Sequence, residues 1–588
     1  MRYLWKYLKA WRLKIMLGMG LKLSATLLEL LIPYVMEHLL DHVVPRGETA
    51  PVLLWGGAMI LLACCVRFVN VTANRMAVLI AKENILRIRR DLFHASLNLS
   101  GGQMDTVGLP SLISRMTSDT YNVQNFIRAV QTLGIRAPIM LVGGIAITLT
   151  MDTGLAMILC IMAPIMIALV VFVSSKGIPL YDRVQQGMDS LVRIMRENIT
   201  GIRVVKALSK EPYEMRRFGG ANSETARRDI KASVTMALPG PIVTLFLNIG
   251  LTLVVLIGAR RVNDGATQPG VILAFLTYFN MILMGVMGLN RVFMMLSKAN
   301  ASAARIAAVA EMPEDLPVLP EAEGAVCDRE GYLVFDHVSF SYPAGERAEK
   351  ADAKAFAGGA RQRCLKDIDF SVRRGGSLGI IGATGSGKTT IINLLMRFYD
   401  ADEGHVFVDG RDVRTWDPDE LRRRFGAVFQ NDAIFADTIR ENVTFGRDVD
   451  EAGLRQALED AQAADFVYGY GDGADHEAAI HGGNFSGGQK QRLLIARALA
   501  DRPSILILDD ASSALDYRTD AELRRAIREH HADATLIVIA QRVSSIMGLD
   551  EIIVLDEGEM IGRGTHEKLL RTCPVYREIR DTQMGEVE

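Results

Sequence analysis

Cysteine is scarce in this chain: the six present (Cys64, Cys65, Cys160, Cys327, Cys364, Cys573) show no metal-ligand spacing. They read as reduced packing residues, with Cys64-Cys65 inside an apolar run. Charge of either sign is nearly absent as a surplus, at −2 net, so global charge gives no footprint for nucleic acid. A small-residue cleavage site is missing behind the basic N-terminal stretch (Arg2, Lys6, Lys9, Arg12, Lys14). The apolar run that follows is long enough to span a bilayer and reads as a first membrane helix rather than a cleavable leader. Also lacking are a long regulatory insertion and a ring of charge along any apolar segment, which argues against a gated channel.

What is abundant is apolar sequence: 49% hydrophobic residues alongside 23% charged ones. The excess sits in the first half of the chain, as six runs of spanning length at about 15–36, 52–72, 133–150, 155–174, 242–262 and 271–294. Short loops (41–51, 151–154, 263–270) join them in pairs. Between the pairs lie two long charged stretches, 73–131 and 175–241, with helical periodicity and many cations, among them Arg87, Arg89, Arg90, Arg193, Arg196, Arg203 and Lys206. Threading six helices puts these stretches and the basic N-terminus on one side, which is therefore expected to be cytoplasmic, as are both termini. Arg260-Arg261 is a local exception. Residues 311–331, rich in Pro and Glu, read as a linker. The expected organisation is an all-α six-helix transmembrane domain at 1–310, with long cytoplasmic helical excursions, and an α/β P-loop domain at 332–588. Within the latter, 345–363 is an Ala, Gly, Lys, Glu and Arg stretch expected to be a mobile insertion between two strands.

A short apolar strand at 378–381 runs into Gly382-Ala383-Thr384-Gly385-Ser386-Gly387-Lys388-Thr389, and a helical run follows from Thr390. This is G-x-x-x-x-G-K-T between a strand and a helix, the context a phosphate loop requires. Glycines let backbone N–H groups turn inward around phosphates, and the helix N-terminus adds partial positive charge. Lys388 is placed to reach the terminal phosphates of ATP, and Thr389 to ligand Mg²⁺. Asp509 closes a later apolar strand and is placed to hold Mg²⁺ through water. Tyr342, upstream, is a candidate to stack on adenine, though it reads equally as an ordinary strand aromatic.

Phe485-Ser486-Gly487-Gly488-Gln489 narrows the class. It resembles the signature of ATP-binding cassette (ABC) proteins. Gln430 resembles the Q-loop, with a further Mg²⁺-ligand role implied, and Ser513-Ala514-Leu515-Asp516 the D-loop. Arg196-Glu197-Asn198-Ile199-Thr200-Gly201-Ile202-Arg203-Val204-Val205-Lys206 and Ser302-Ala303-Ala304-Arg305-Ile306 resemble segments of the type I (type IV) exporter fold. The resemblance implies that two cassettes pack head to tail, with ATP between one phosphate loop and the other chain's signature. It places coupling helices at 114–122 and 213–222.

Two positions depart from the family pattern. Asp510 stands where Glu is usual, and Gln541 where His is usual. Losing a methylene withdraws the carboxylate by roughly 1.5 Å, and misplacement on that scale costs on the order of 100-fold in rate. Gln accepts and donates hydrogen bonds but carries neither proton nor charge as His does. Asp and Gln here are similar to one subunit of heterodimeric bacterial exporters. A homodimer with two slow sites, or an ATP-gated channel or regulatory subunit, is the alternative. Ile480, in the loop before the signature, also departs: exporters often have Glu there.

The expected function is a subunit of an ATP-driven exporter in a bacterial plasma membrane. It would move a hydrophobic or amphipathic small molecule, lipid or peptide, with a second half-transporter as partner and no nucleic acid. The transport path is weakly marked. Lys22, Glu29, Arg67 and Arg136 are intramembrane charges, with Glu29 and Arg67 expected to pair or to touch substrate. Met281, Met284 and Met287, following Tyr278 and Phe279, form an adaptable apolar face or simply pack.

Overall fold

In the first half of the chain, apolar helices long enough to cross a membrane number six among the described residues. The computed structural model describes residues 2–342, 363–430 and 432–584; the 345–363 stretch lies outside them apart from Arg363. Two units emerge: Met1–Leu97 with Pro110–Met312, and Asn98–Leu109 with Pro313–Glu588.

The membrane unit is built from α1 (Arg12–His38), α2 (Thr49–Leu97), α4 (Thr120–Met151), α5 (Thr153–Thr200), α6 (Glu211–Ala237), α7 (Pro239–Asn263) and α8 (Pro269–Ala310), α3 (Gly101–Val107) belonging to the other unit. At 49 residues, α2 runs about 70 Å at 1.5 Å per residue, more than twice the thickness of a hydrocarbon core. The charged stretches read from sequence are thus continuations of the same helices. Only Asp152, in extended conformation (φ −153°), separates α4 from α5. Its carboxylate accepts the Leu155 N–H at 3.0 Å, an N-cap, and pairs with Arg261 at 3.0 Å. The Arg260-Arg261 exception to the charge bias is therefore half neutralised locally.

Other buried polar groups likewise tie distant segments. Asp41 accepts the N–H groups of Gly270 and Val271, at 2.7 and 3.1 Å, and so caps α8 from the first hairpin. Gly270 is required there, because a Cβ would lie 2.6 Å from the Asp41 carboxylate. Lys22, on α1, donates to Asn70 and Asn74 on α2 at 2.5 and 3.0 Å. Tyr278 is buried and donates to the Leu30 carbonyl at 2.7 Å; Phe279 is buried in a neighbouring cluster with Phe275 and Ile282. Glu29 pairs with Arg136 on α4 at 2.8 Å, not with Arg67. Arg67 lies on the exposed side of α2, so the two expected partners point to different surroundings. Met284 and Met287 are exposed, while Met281 packs beside Leu30 and Tyr278; the three do not share one environment.

The second unit has two sheets. An antiparallel one has the order β2 (Leu365–Val372), β1 (Leu333–Phe340), β4 (Glu403–Val408), β5 (Arg411–Asp412). The larger has the order β10 (Glu559–Gly564), β9 (Glu551–Asp556), β3 (Ser377–Gly382), β8 (Thr535–Ile539), β7 (Ile505–Asp509), β6 (Phe425–Val428), parallel except for β10. Central parallel strands are buried on both faces and so read as continuous apolar runs. All five residues of β7 are buried, Asp509 included.

The helix that seats on this unit from the first excursion is α3, not the 114–122 stretch. Gly101 donates its N–H to the Phe398 carbonyl at 3.2 Å, Tyr399 donates to Asp105 at 2.7 Å, and Gln103 donates to the Pro313 carbonyl at 2.6 Å. Ser100 caps α3 in a capping box with Gln103. Residues 114–122 instead turn into α4 within the membrane unit. There Asp119, buried, accepts from Ser302 at 2.8 Å and from the Arg305 guanidinium at 2.9 Å. Residues 213–222 lie inside α6, also in the membrane unit.

Hydrogen bonds to a buried charge contribute about 1.5–3 kcal/mol each. Asp119→Ala is therefore expected to lower the thermal midpoint of the detergent-purified protein by several degrees, and Asp119→Asn by less. Differential scanning fluorimetry checks the order; equal midpoints for both variants and wild type would remove this anchor.

Candidate nucleotide site

The phosphate loop joins β3 to α9 (Lys388–Leu395). It turns because Gly385 and Gly387 adopt φ +86° and +99°, a region favouring glycine. At Gly387 a Cβ would also lie 2.5 Å from Leu365. Lys388 donates to the carbonyls of Gly382 and Ala383, at 2.9 and 2.7 Å. Burial pulls its ammonium below the usual lysine range, against the pull of Asp509 and Asp510.

One cavity gathers most of the residues singled out in the sequence. Tyr342, Thr384, Gly385, Gly387, Lys388, Thr389, Thr390, Gln430, Asp509, Asp510 and Gln541 all line it. Thr389 donates to Asp509 at 3.0 Å, bringing a hydroxyl and a carboxylate together beside Gln430. Hard oxygen donors of this kind suit Mg²⁺, so Thr389, Asp509 and Gln430 fit the ion that accompanies ATP. Gly382 contributes only its carbonyl to Lys388, and Ser386 is buried beneath the loop. Tyr342 is fixed by its hydroxyl, which contacts Thr390 at 3.2 Å and accepts from Asn393 at 3.0 Å. Its ring meets Tyr399 and Phe340 edge-on, which leaves a rigid aromatic at the cavity rim.

Asp510 and Gln541 meet. The Gln541 amide donates to the Asp510 carboxylate at 3.2 Å. Asp510 sits at φ +54°, where Asp is tolerated better than most residues because its short polar side chain bonds locally. Its N–H donates to the Ile539 carbonyl at 2.9 Å, so β8 fixes the backbone on which the carboxylate is mounted. Burial raises the Asp510 carboxyl, against the Arg542 and Lys388 charges. Burial also raises Asp509, helped by Asp510 and opposed by the Thr389 hydrogen bond.

The signature residues do not line this cavity. Ser486 caps α10 (Gly487–Leu499) in a capping box with Gln489; Ser486 and Gly487 are exposed, Gly488 half-buried, and Phe485 buried behind them. Asp516 caps α11 (Tyr517–His530) through Thr519. Ile480 is 74% exposed, an apolar side chain on a surface loop. Three supports escaped the sequence. Cys364 lines the cavity, Asn393 holds Tyr342, and Gln583 on α12 (Pro574–Met584) grips the 541–543 turn. Gln583 donates to the Gln541 carbonyl at 2.7 Å and accepts from the Val543 N–H at 2.8 Å. Nothing in the sequence signalled Asn393 or Gln583.

Comparison with known proteins places these features. Residues 15–287 match the family model of the ABC transporter transmembrane region, and residues 365–513 that of the ABC transporter. An uncharacterized ABC transporter ATP-binding protein of Mycobacterium tuberculosis is 33% identical, over 98% of this chain and 97% of its own. An ATP-dependent lipid A-core flippase of Idiomarina loihiensis is 30% identical, over 93% of this chain and 92% of its own. A solved bacterial Atm1-family ABC exporter with ATP bound has the same fold, with a TM-score of 0.78 at 24% identity, over 99% of each chain.

A carboxyl raised in the folded state holds its proton above the ordinary aspartate value of about 3.9. Stability is then lost as pH rises through the raised value and regained as pH falls below it. Without nucleotide at neutral pH, Asp509→Asn is expected to melt above wild type, with the gap closing as pH falls toward about 4. A gap that stays constant with pH would assign the gain to something other than charge burial. Tyr342→Ala should weaken binding of a fluorescent ATP analogue about tenfold, in line with 1–3 kcal/mol for one base–aromatic stack, and Tyr342→Phe much less.

Proposed function

This chain belongs to the ABC transporter family, as an exporter half-transporter, and from that premise we propose that it is the slow-site subunit of a heterodimeric exporter. The observation that carries the reading is the Asp510–Gln541 contact. A general base must reach its water. Here the carboxylate is one methylene short, and one of its oxygens already accepts from an amide that cannot take up a proton. The phosphate loop, Lys388, Thr389 and Asp509 remain equipped to hold ATP with Mg²⁺. The site binds well and cleaves slowly.

A single cassette offers its phosphate loop in one place and its signature in another, so each ATP needs two chains. The exposed Ser486 and Gly487, at the N-terminus of α10, are free to meet a γ-phosphate on the partner. The partner's loop and catalytic residues would complete a fast site with this signature. ATP kept at the slow site would hold the cassettes partly engaged between cycles. Both termini would lie in the cytoplasm of a bacterium. The substrate would be hydrophobic or amphipathic: Met284 and Met287 leave an adaptable apolar face on α8, and relatives of this chain include lipid A-core flippases.

In a purified two-subunit complex, Asp510→Ala should barely lower ATP turnover, whereas removing the partner's equivalent carboxylate should abolish it. Asp510→Glu combined with Gln541→His should raise turnover severalfold by restoring reach and a titratable group. A homodimer of this chain that hydrolyses ATP briskly, and stops on Asp510→Ala, would overturn the slow-site reading.

A further inference from the structure

At its outer end the first membrane helix does not simply stop. α1 passes at His38 into one wide turn, Leu39–Val43, with π-helical hydrogen bonding. Such turns are rare and frequently occur at functional sites. A polar set lies in it and just before it, Glu37, His38, Asp41 and His42. Asp41 has an assignment already, as the cap of α8. The two histidine side chains do not: among the described residues neither makes a hydrogen bond or ion pair. Their rings lie parallel, 5.1 Å apart at the centroids and 12° between planes. His38 is half-buried, His42 is exposed, and the Trp55 ring on α2 stands 4.7 Å from His38.

We propose that His38 and His42 form a binding site for a divalent transition-metal ion at the outer end of the first helical hairpin. Two histidines four residues apart on one helical face are the spacing by which a helix chelates such a metal. At metal–nitrogen bonds of about 2.0–2.1 Å, the coordinating nitrogens must come to about 3.3 Å apart. Parallel rings at 5.1 Å reach that by rotation about side-chain bonds, with the backbone turn left in place. Imidazole suits copper, nickel and zinc and not magnesium or calcium. With two protein ligands the remaining positions belong to water, so the ion is held in exchange with solvent. The exposed His42 is its entry point, and the Glu37 carboxylate one residue before His38 adds negative charge.

The site bears on the transport cycle through its neighbour. The same wide turn carries Asp41, whose carboxylate holds the first two free N–H groups of α8. An ion bridging His38 and His42 stiffens that turn and with it the tie between the first hairpin and the last membrane helix. Opening of the outer end then requires breaking a stiffer link, so bound metal slows turnover. This consequence rests on the exporter reading; the metal site itself does not.

Trp55 provides the readout. Copper(II) added to the purified full-length chain is expected to quench its fluorescence in one saturable phase at micromolar concentration. Nickel should do so more weakly and magnesium not at all, in the order imidazole ligands impose. His38→Gln with His42→Gln should shift the midpoint at least tenfold. Trp55→Phe should remove the quenching phase while leaving copper retention in equilibrium dialysis intact. Quenching that survives the double histidine variant with the same midpoint would overturn the site, as would equal effects of copper and magnesium. Metal binding without any change in the rate of ATP turnover would leave the site standing and remove its coupling to Asp41.

Discussion

The cassette depends on how its cavity sets one cation against two carboxylates. Lys388 shares that cavity with Asp509 and Asp510, and Thr389 and Gln430 line it beside them. Lys388 donates to two carbonyls of its own loop, and beside it lie the buried Asp509 and the half-buried Asp510, both carboxyls raised by burial. Both charge types are held in an environment that penalises them separately. A multiply charged phosphate accompanied by a divalent cation would answer both at once: the phosphate would draw Lys388, and the cation Asp509 and Thr389.

The membrane unit solves a related problem with the opposite sign. Four of its carboxylates are held internally by residues far away in sequence: Asp152 with Arg261, Glu29 with Arg136, Asp119 with Arg305, Asp41 with the start of α8. Leaving any such charge unpaired in an apolar bundle is costly, so each pair acts as a peg that fixes which helices are neighbours. Apolar packing alone discriminates poorly between faces of helices that are hydrophobic all round. The polar pegs supply that discrimination, and the close Gly270–Asp41 approach shows how tightly one is fitted.

These two logics explain what could be read from the chain. The phosphate loop, the strand ending in Asp509 and the signature are local: their chemistry depends on neighbours within a few residues, so the motif carries its geometry with it. The six helices are legible because length and apolarity suffice. Pairings are not local. Glu29 faces Arg136 and not Arg67 because the rotation of α2 about its axis turns Arg67 outward, and hydropathy does not encode rotation. The helix seated on the cassette unit lies about a dozen residues before the 114–122 stretch where the family resemblance put a coupling helix. Asp119 in that stretch is claimed instead by Ser302 and Arg305, near the other end of the unit. The capping box of Ser100 with Gln103 makes α3 a separate helix.

The pairing of Asp510 with Gln541 also changes how the two departures should be weighed. Taken separately, each is a loss: a shorter carboxylate, an uncharged amide. Together they satisfy each other, because the amide donates where the carboxylate needs a donor. The short aspartate suits its left-handed backbone position, and Gln583 clamps the turn that carries Gln541. A histidine at 541 would share its proton between carboxylate and phosphate and so would link the two. Glutamine holds the carboxylate without that link. The pair is thus coherent as a resting structure, built to keep its geometry whether or not ATP is cleaved. Changing one member alone exposes an unpaired donor or acceptor, so the two positions act as a coupled pair.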